Sequence, residues 1–227
     1  MEKRSFTSYR NPAIAVDLVV FGYHSEQLSI LLLNRKEAPF KGRWTLPGAF
    51  LGLEETFRQV CQRILETKLG IADLYLEQLY SFDQPNRDPR GRVLSVAYFA
   101  LVNPDHYDIT AGEMANDVKW FSMEELPRLG FDHTTIVQMA AERLRAKILY
   151  HPVGFELLHH EFTLPELHRL YETILGIPID RRNFRRKILD SGYIVMTGEK
   201  KTGAQHRHPD IYQFNSNIDP GNFTINI

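Results

Sequence analysis

The sequence predicts an α+β protein, an α/β/α sandwich followed by a winged helix-turn-helix. Three observations predict it. Apolar strand-like runs mix with amphipathic helical patterns up to about residue 150. A capped helix, a tight turn, a second capped helix and a hairpin with a charged tip follow. The length, 227 residues, lies between one and two domains.

Ala13–Phe21 and Leu28–Asn34 are rich in Val, Ile and Leu and are separated by Gly22-Tyr23-His24-Ser25, which reads as a hairpin or adjacent strands. Glu55–Leu69 reads as a helix, because Phe57, Val60, Cys61, Ile64, Leu65 and Leu69 fall on one face of a 3.6-residue period. Gly70 stops it. Val93–Val102 and Val118–Phe121 are further strands. A long helix is expected from Thr134 to Leu149, capped by Asp132, with Ile136, Val137, Ala140, Leu144 and Ile148 inward.

The character of the chain changes at His151-Pro152-Val153-Gly154, which sets expected domains of 1–152 and 153–227. Thr163-Leu164-Pro165-Glu166 has capping-box spacing with proline in the first turn, so a helix runs from there to about Leu175 and ends at Gly176. Asp180 caps another helix through Ser191. Gly192–Thr197 and Ile211–Phe214 are β-prone and enclose a polar basic loop, Gly198–Pro209.

Composition narrows the class. Apolar residues make up 43% and charged residues 24%, which excludes wholesale disorder. The longest apolar runs fall short of the ~18–20 residues that a membrane helix needs, so no membrane partner is expected. Met1-Glu2-Lys3-Arg4-Ser5 has no apolar region behind it, and a single cysteine, Cys61, excludes an intrachain disulfide framework. A reduced, cytoplasmic protein is expected, with no metal site and no cofactor.

The net charge of −1 hides an asymmetry. Between Asp180 and His208 eight Lys and Arg residues oppose three acidic ones, a local net of +5, leaving −6 elsewhere. On the helix after Asp180, Phe184, Ile188 and Leu189 share one side. Asn183 and Arg186 point roughly opposite, flanked by Arg182 and Lys187, with Arg181 and Arg185 nearer the packed side. Arginine pairs bidentately with guanine and asparagine with adenine, so this helix is expected to enter the major groove of double-stranded DNA. Lys200, Lys201 and Arg207 on the wing are expected to meet phosphate. A solvated basic face is the bland alternative; the capped helix and turn before it favour DNA.

Glu55, Arg63, Leu65, Gly70 and Ile71 match the frame of the Nudix signature, G-x5-E-x7-R-E-U-x-E-E-x-G-U, where U is aliphatic, with Ala49 at its first Gly position just after Gly48. The segment therefore resembles a Nudix hydrolase, and the resemblance implies a Nudix-like sandwich. Its three helix glutamates are replaced by Ile64, Thr67 and Lys68. Nudix enzymes use those carboxylates to hold magnesium, which wants hard oxygen ligands, so no catalytic residues are assigned and the domain is expected to be inactive. Such a domain still offers a pocket for a phosphorylated or sugar-like ligand. Arg35, Arg43, Arg87, Arg90 and Arg92 sit beside predicted strand ends and loops where they would meet phosphate, and Phe50 would supply apolar surface, as would Tyr80, Phe82 and Trp120.

A degenerate Nudix-like domain joined to a winged helix resembles the NrtR-type transcriptional regulators of bacteria. Phe131-Asp132-His133, Phe162–Leu167 and Asn183–Lys187 add to that likeness. The resemblance implies a dimeric repressor that binds a palindromic operator and is released by a small effector, either ADP-ribose-like or a sugar such as arabinose. Two-fold symmetry suits adjacent half-sites on DNA, and the helix Thr134–Leu149 is a candidate transmitter between the domains. Two other readings stay open. One is a Nudix hydrolase whose metal site is rebuilt from Glu54, Glu55 or Glu77; the other is a ligand-binding protein whose second module docks protein.

Overall fold

A computed structural model of the chain describes residues 11–70, 74–107, 109, 115–201, 209–218 and 223–225. Strands β1 (Ala13–His24) and β2 (Gln27–Arg35) form the expected hairpin, but its turn is Ser25-Glu26. Both turn residues have positive φ, 49° and 63°, as a two-residue loop between right-twisted strands requires. Gly22 stays inside β1, where a Cβ would stand 2.6 Å from Pro104 and 2.7 Å from Trp120.

Beyond the hairpin β1 and β2 splay, and two short strands fill the gap. β3 (Trp44–Thr45) pairs with β2 and β4 (Gly48–Phe50) pairs with β1. The other edge of β1 runs parallel to β6 (Val93–Val102), which pairs with β5 (Tyr75–Phe82), while β7 (Ala115–Ser122) takes the outer edge of β2. The sequence reading lacks β3 and β4, which are too short to show a period, and the edge strand β5, whose YLEQLYSF alternates poorly.

The sheet is covered on both faces. Val16, Leu18 and Val20 of β1 pack with Val60, Cys61, Ile64 and Leu65 of the helical segment that begins with α1 (Phe57–Ile64). Val19, Phe21 and Tyr23 point to the opposite core, under α2 (His133–Lys147). Double burial explains why β1 reads as a continuous apolar run. Thr56 caps α1 through a reciprocal capping box with Gln59, so the helix starts two residues after the expected Glu55. Leu65–Leu69 continues it with wider, π-type turns, and Gly70 closes it at φ 65°. Cys61 is buried, and its burial pushes the thiol up to about 12. Asp132 stands at the N-cap of α2 as expected, but its side chain makes no capping hydrogen bond; its carboxylate is engaged by Arg87 instead.

The second unit has the predicted layout. After β8 (Glu161–Thr163) come α3 (Leu164–Leu175) and α4 (Arg181–Asp190), then the hairpin of β9 (Ile194–Lys200) and β10 (Asp210–Phe214), with β10 also pairing β8. Thr163 accepts from Glu166 N–H while Glu166 accepts from Thr163 N–H at 2.8 Å, the capping box read from sequence. Thr163→Ala should lower stability by about 0.5–2 kcal/mol, seen as a reduced melting temperature; an unchanged melt would mean the cap contributes nothing.

One apolar core runs through both units. Phe21, Phe99, Ile136 and Leu144 belong to the same cluster as Leu157, Tyr171, Phe184 and Tyr212. Polar contacts add to it. Glu26 at the β1–β2 turn pairs with Arg169 of α3 at 3.1 Å, and Arg145 of α2 donates to the Ile174 carbonyl at 3.2 Å. No helix among the described residues is long and apolar enough to cross a membrane.

Candidate functional site

Where β1 and β2 part, they leave a cleft of about 250 Å³. Asp17 of β1, Arg35 of β2, Thr45 of β3, Gly48–Phe50 of β4, the loop residues Arg87, Asp88 and Arg90, and Phe131 with His133 at the start of α2 belong to its lining. The floor is a buried ion-pair network. Arg87, only 3% exposed in its side chain, donates to Asp17 at 2.9 Å and to both oxygens of Asp132 at 2.9 and 2.7 Å. Ser95 donates to Asp17 at 2.7 Å. Leu46 N–H donates to His133 Nδ1 at 2.8 Å, which leaves the ring proton on Nε2, 3.4 Å from Asp17. Burial opposes the charge of Asp17, but His133, Arg87 and Ser95 together hold its carboxyl well below the usual carboxylate range.

Above this floor the lining is charged and aromatic: Arg35 and Arg90 stand with Glu37 and Asp88 beside Phe50 and Phe131. Arg35 lies 5.1 Å from the centre of the Phe131 ring, and Arg90 lies 5.8 Å from the same ring and 5.2 Å from Phe50. Arg35 Nε is tied to the Pro39 carbonyl and Arg90 is tied to Asp88. Phe131 is held at φ 54°, a left-handed conformation that is costly for a residue with an aromatic side chain.

Of the residues expected to meet an effector, Arg35, Phe50, Arg87 and Arg90 line this cleft. Arg87 does so as the buried clamp of two carboxylates. Arg43 stands outside the lining, exposed against Phe40, and Arg92 is exposed with its guanidinium on the Asp83 carbonyl. Tyr80 is exposed, Phe82 belongs to the core, and Trp120 covers Gly22. The sequence reading missed Asp17, Phe131 and His133 as site residues. A lone aspartate inside the apolar run of β1 was the available signal, because a buried carboxylate demands partners.

At the glutamate positions of the Nudix frame stand Ile64, Thr67 and Lys68. Ile64 is buried in the core under α1, and the Thr67 hydroxyl donates back to the Arg63 carbonyl. Glu55 is taken up by Arg63 at 2.7 and 2.8 Å and by Gly52 N–H at 2.8 Å. Glu77 pairs with Lys147, Arg143 and Tyr75 on the other side of the sheet, and Glu54 is exposed. The side chain of Lys68 lies outside the described residues. Among the described residues no three His, Cys, Asp or Glu side chains converge on a metal position.

The second candidate surface is α4. Asp180 caps it by accepting from Asn183 N–H at 2.8 Å, and Phe184 and Ile188 anchor it in the core. The turn before it is fixed by two contacts. Ile179 N–H donates to Glu172 at 3.0 Å, and His168 Nε2 donates to the Ile179 carbonyl at 2.9 Å. The outward face carries Arg181, Arg182, Arg185 and Arg186, all exposed, while Asn183 and Lys187 are half-buried at its margins. Arg181 and Arg185 thus stand with the exposed face and not with the packed one. Asn183 Oδ1 accepts from Arg186 at 3.0 Å. On the wing Lys200 is exposed, Lys201 is paired with Glu166 of the α3 cap, and Arg207 lies outside the described residues.

Comparison with known proteins matches both units. A family model of the NUDIX domain matches residues 11–140, and one of the NrtR DNA-binding winged helix domain matches residues 154–214. The chain is 35% identical to the ADPR responsive transcriptional repressor NtrR of Acinetobacter baylyi, over 92% of this chain and 84% of that protein. It is similar to Shewanella oneidensis NrtR in complex with a 27mer DNA, at 34% identity and TM-score 0.79, covering 93% of this chain and 96% of that one. It is also similar to the NUDIX domain of the same NrtR in complex with ADP ribose, at 34% identity and TM-score 0.55, covering 63% and 94%.

Proposed function

Because the chain belongs to the NrtR family, a Nudix domain followed by an NrtR winged helix, we propose that it is an ADP-ribose-responsive transcriptional repressor. The effector unit is 1–152 and the operator-binding unit is 153–227. Operator contact comes from Arg182, Asn183, Arg186 and Lys187 of α4, with Arg181 and Arg185 added by exposure, and from Lys200, Lys201 and Arg207 of the wing. The effector enters the cleft beside Arg35, Phe50, Arg87 and Arg90. The protein acts in the cytoplasm as a homodimer on a palindromic operator, and its Nudix domain does not hydrolyse the effector.

One observation carries this reading. A cleft lined by arginine and aromatic groups shares a single apolar core with a helix that exposes four arginines. α2 begins in that cleft at His133 and meets α3 through Arg145 in its last turn, a span of about 18 Å at the rise of an α-helix. The inactive-domain reading is supported by the burial of Ile64, by the Thr67 hydroxyl bonded to the Arg63 carbonyl and by the pairing of Glu55 with Arg63, since magnesium wants free hard oxygen ligands.

The test is operator selection from genomic fragments, followed by fluorescence anisotropy with and without ADP-ribose. Selective binding to a palindrome, weakened by ADP-ribose about 5–150-fold, is expected from a typical coupling free energy. Release by L-arabinose and not ADP-ribose would replace the effector. Failure to retain any duplex would point to a module that docks protein. Magnesium-dependent turnover of ADP-ribose, lost in Glu55→Gln, would overturn catalytic silence.

A further inference from the structure

We infer that Arg35 and Arg90, converging on the Phe131 ring, hold the diphosphate of a nucleoside-diphosphate effector in the role that a divalent cation fills in a metal-dependent Nudix site. The inference rests on the reading of the cleft as the effector site and adds the chemistry by which that site recognises its ligand.

Two guanidinium groups share one cleft, within 5.1 and 5.8 Å of the same ring. Arg90 is paired with Asp88, which takes its Nε and Nη2 at 3.0 and 2.6 Å and leaves Nη1 for a ligand. Arg35 is half-buried, and among the described residues no carboxylate lies within ion-pair distance of it. Among the described residues its side chain makes one hydrogen bond, through Nε, so both Nη groups remain for a ligand. Partial burial and then the charge of Arg90 work against its protonated form, and together they outweigh the opposing charges of Asp88, Glu37 and Asp17. Two like charges held together beside aromatic surface are stabilised by an anion that bridges them.

A diphosphate suits the pair because each phosphoryl group accepts from one planar guanidinium. The floor beneath does not compete for that anion. Asp17 is ionised and would repel phosphate, while Arg87 is consumed by Asp17 and Asp132. Anion recognition therefore falls to the rim. A pentose alone would leave the rim pair unused.

Titration calorimetry on the full-length protein tests this, with ADP-ribose as probe in magnesium and in EDTA. Binding of comparable affinity in both conditions, weakening as salt rises, is expected. Arg35→Gln and Arg90→Gln should each weaken ADP-ribose at least ~10-fold, Arg35→Lys should lose less, and D-ribose should bind the variants as it binds the parent. Circular dichroism checks that the variants fold. ADP-ribose binding that requires magnesium, or that Arg35→Gln leaves unchanged, overturns the inference and leaves the repressor reading standing. An operator-competent protein that binds no ADP-ribose under either condition overturns both.

Discussion

Replacing Arg87 by alanine is expected to destabilise the protein by about 3–5 kcal/mol, the usual consequence of stripping one partner from a buried charge network. The guanidinium is nearly inaccessible and bonds to Asp17 and to both oxygens of Asp132. Without it two carboxylates remain in the floor with only Ser95, His133 and water to receive them. Urea unfolding of the variant measures the loss. Adding Asp17→Asn and Asp132→Asn to Arg87→Met should recover part of it, since removing every charge spares the desolvation cost. A single Arg87→Ala variant as stable as the parent would show that the network is solvated.

The same network gives a pH dependence with a definite sign. The folded-state pKa of Asp17 is depressed, so the unfolded chain binds its proton first as the solution is acidified. The stability it contributes is complete above the ordinary carboxylate value of about 4, and it is lost as pH falls toward the folded value. The melting temperature of the parent should therefore fall more steeply below about pH 4 than that of Asp17→Asn. Parallel acid limbs for the two proteins would remove Asp17 as the cause.

Arg186→Ala is expected to reduce discrimination between operator and random duplex by about 1–3 kcal/mol, the size of one good bidentate pairing with guanine. Arg186 is exposed on α4, and its guanidinium is steadied by Asn183 at 3.0 Å. Lys200→Ala, on the wing, should instead weaken all duplexes alike and lower the salt slope by about one. Anisotropy titrations at several salt concentrations separate the two patterns. Equal losses on operator and random DNA would make Arg186 a phosphate contact.

Much of this was legible in the sequence because it depends on local chemistry. The 3.6-residue spacing of α1, the box Thr163–Glu166, the Asp180 cap and the glycines at 70 and 176 are each determined by a few neighbouring residues, and each appears where the spacing puts it. The Nudix frame and the loss of its glutamates were equally plain, since they are matters of residue type. The two-unit order followed from these elements alone.

The site was a different matter. Arg35, Arg87 and Arg90 could be named as arginines near loops, but so could Arg43 and Arg92, which fold elsewhere. Nothing local tells a guanidinium that clamps two buried carboxylates from one free to meet phosphate; the choice depends on Asp17 and Asp132, 70 and 45 residues away along the chain. Likewise the exposure of Arg181 and Arg185 follows from how α4 rests on Tyr171 and His168, and not from its own wheel. Sequence by itself determined the elements, their order and the replacement of the three helix glutamates, because those are short-range properties or plain residue types. Only the tertiary structure decided which charges are paired and which face outward, because desolvation and ion pairing are set by neighbours that the fold brings from far along the chain.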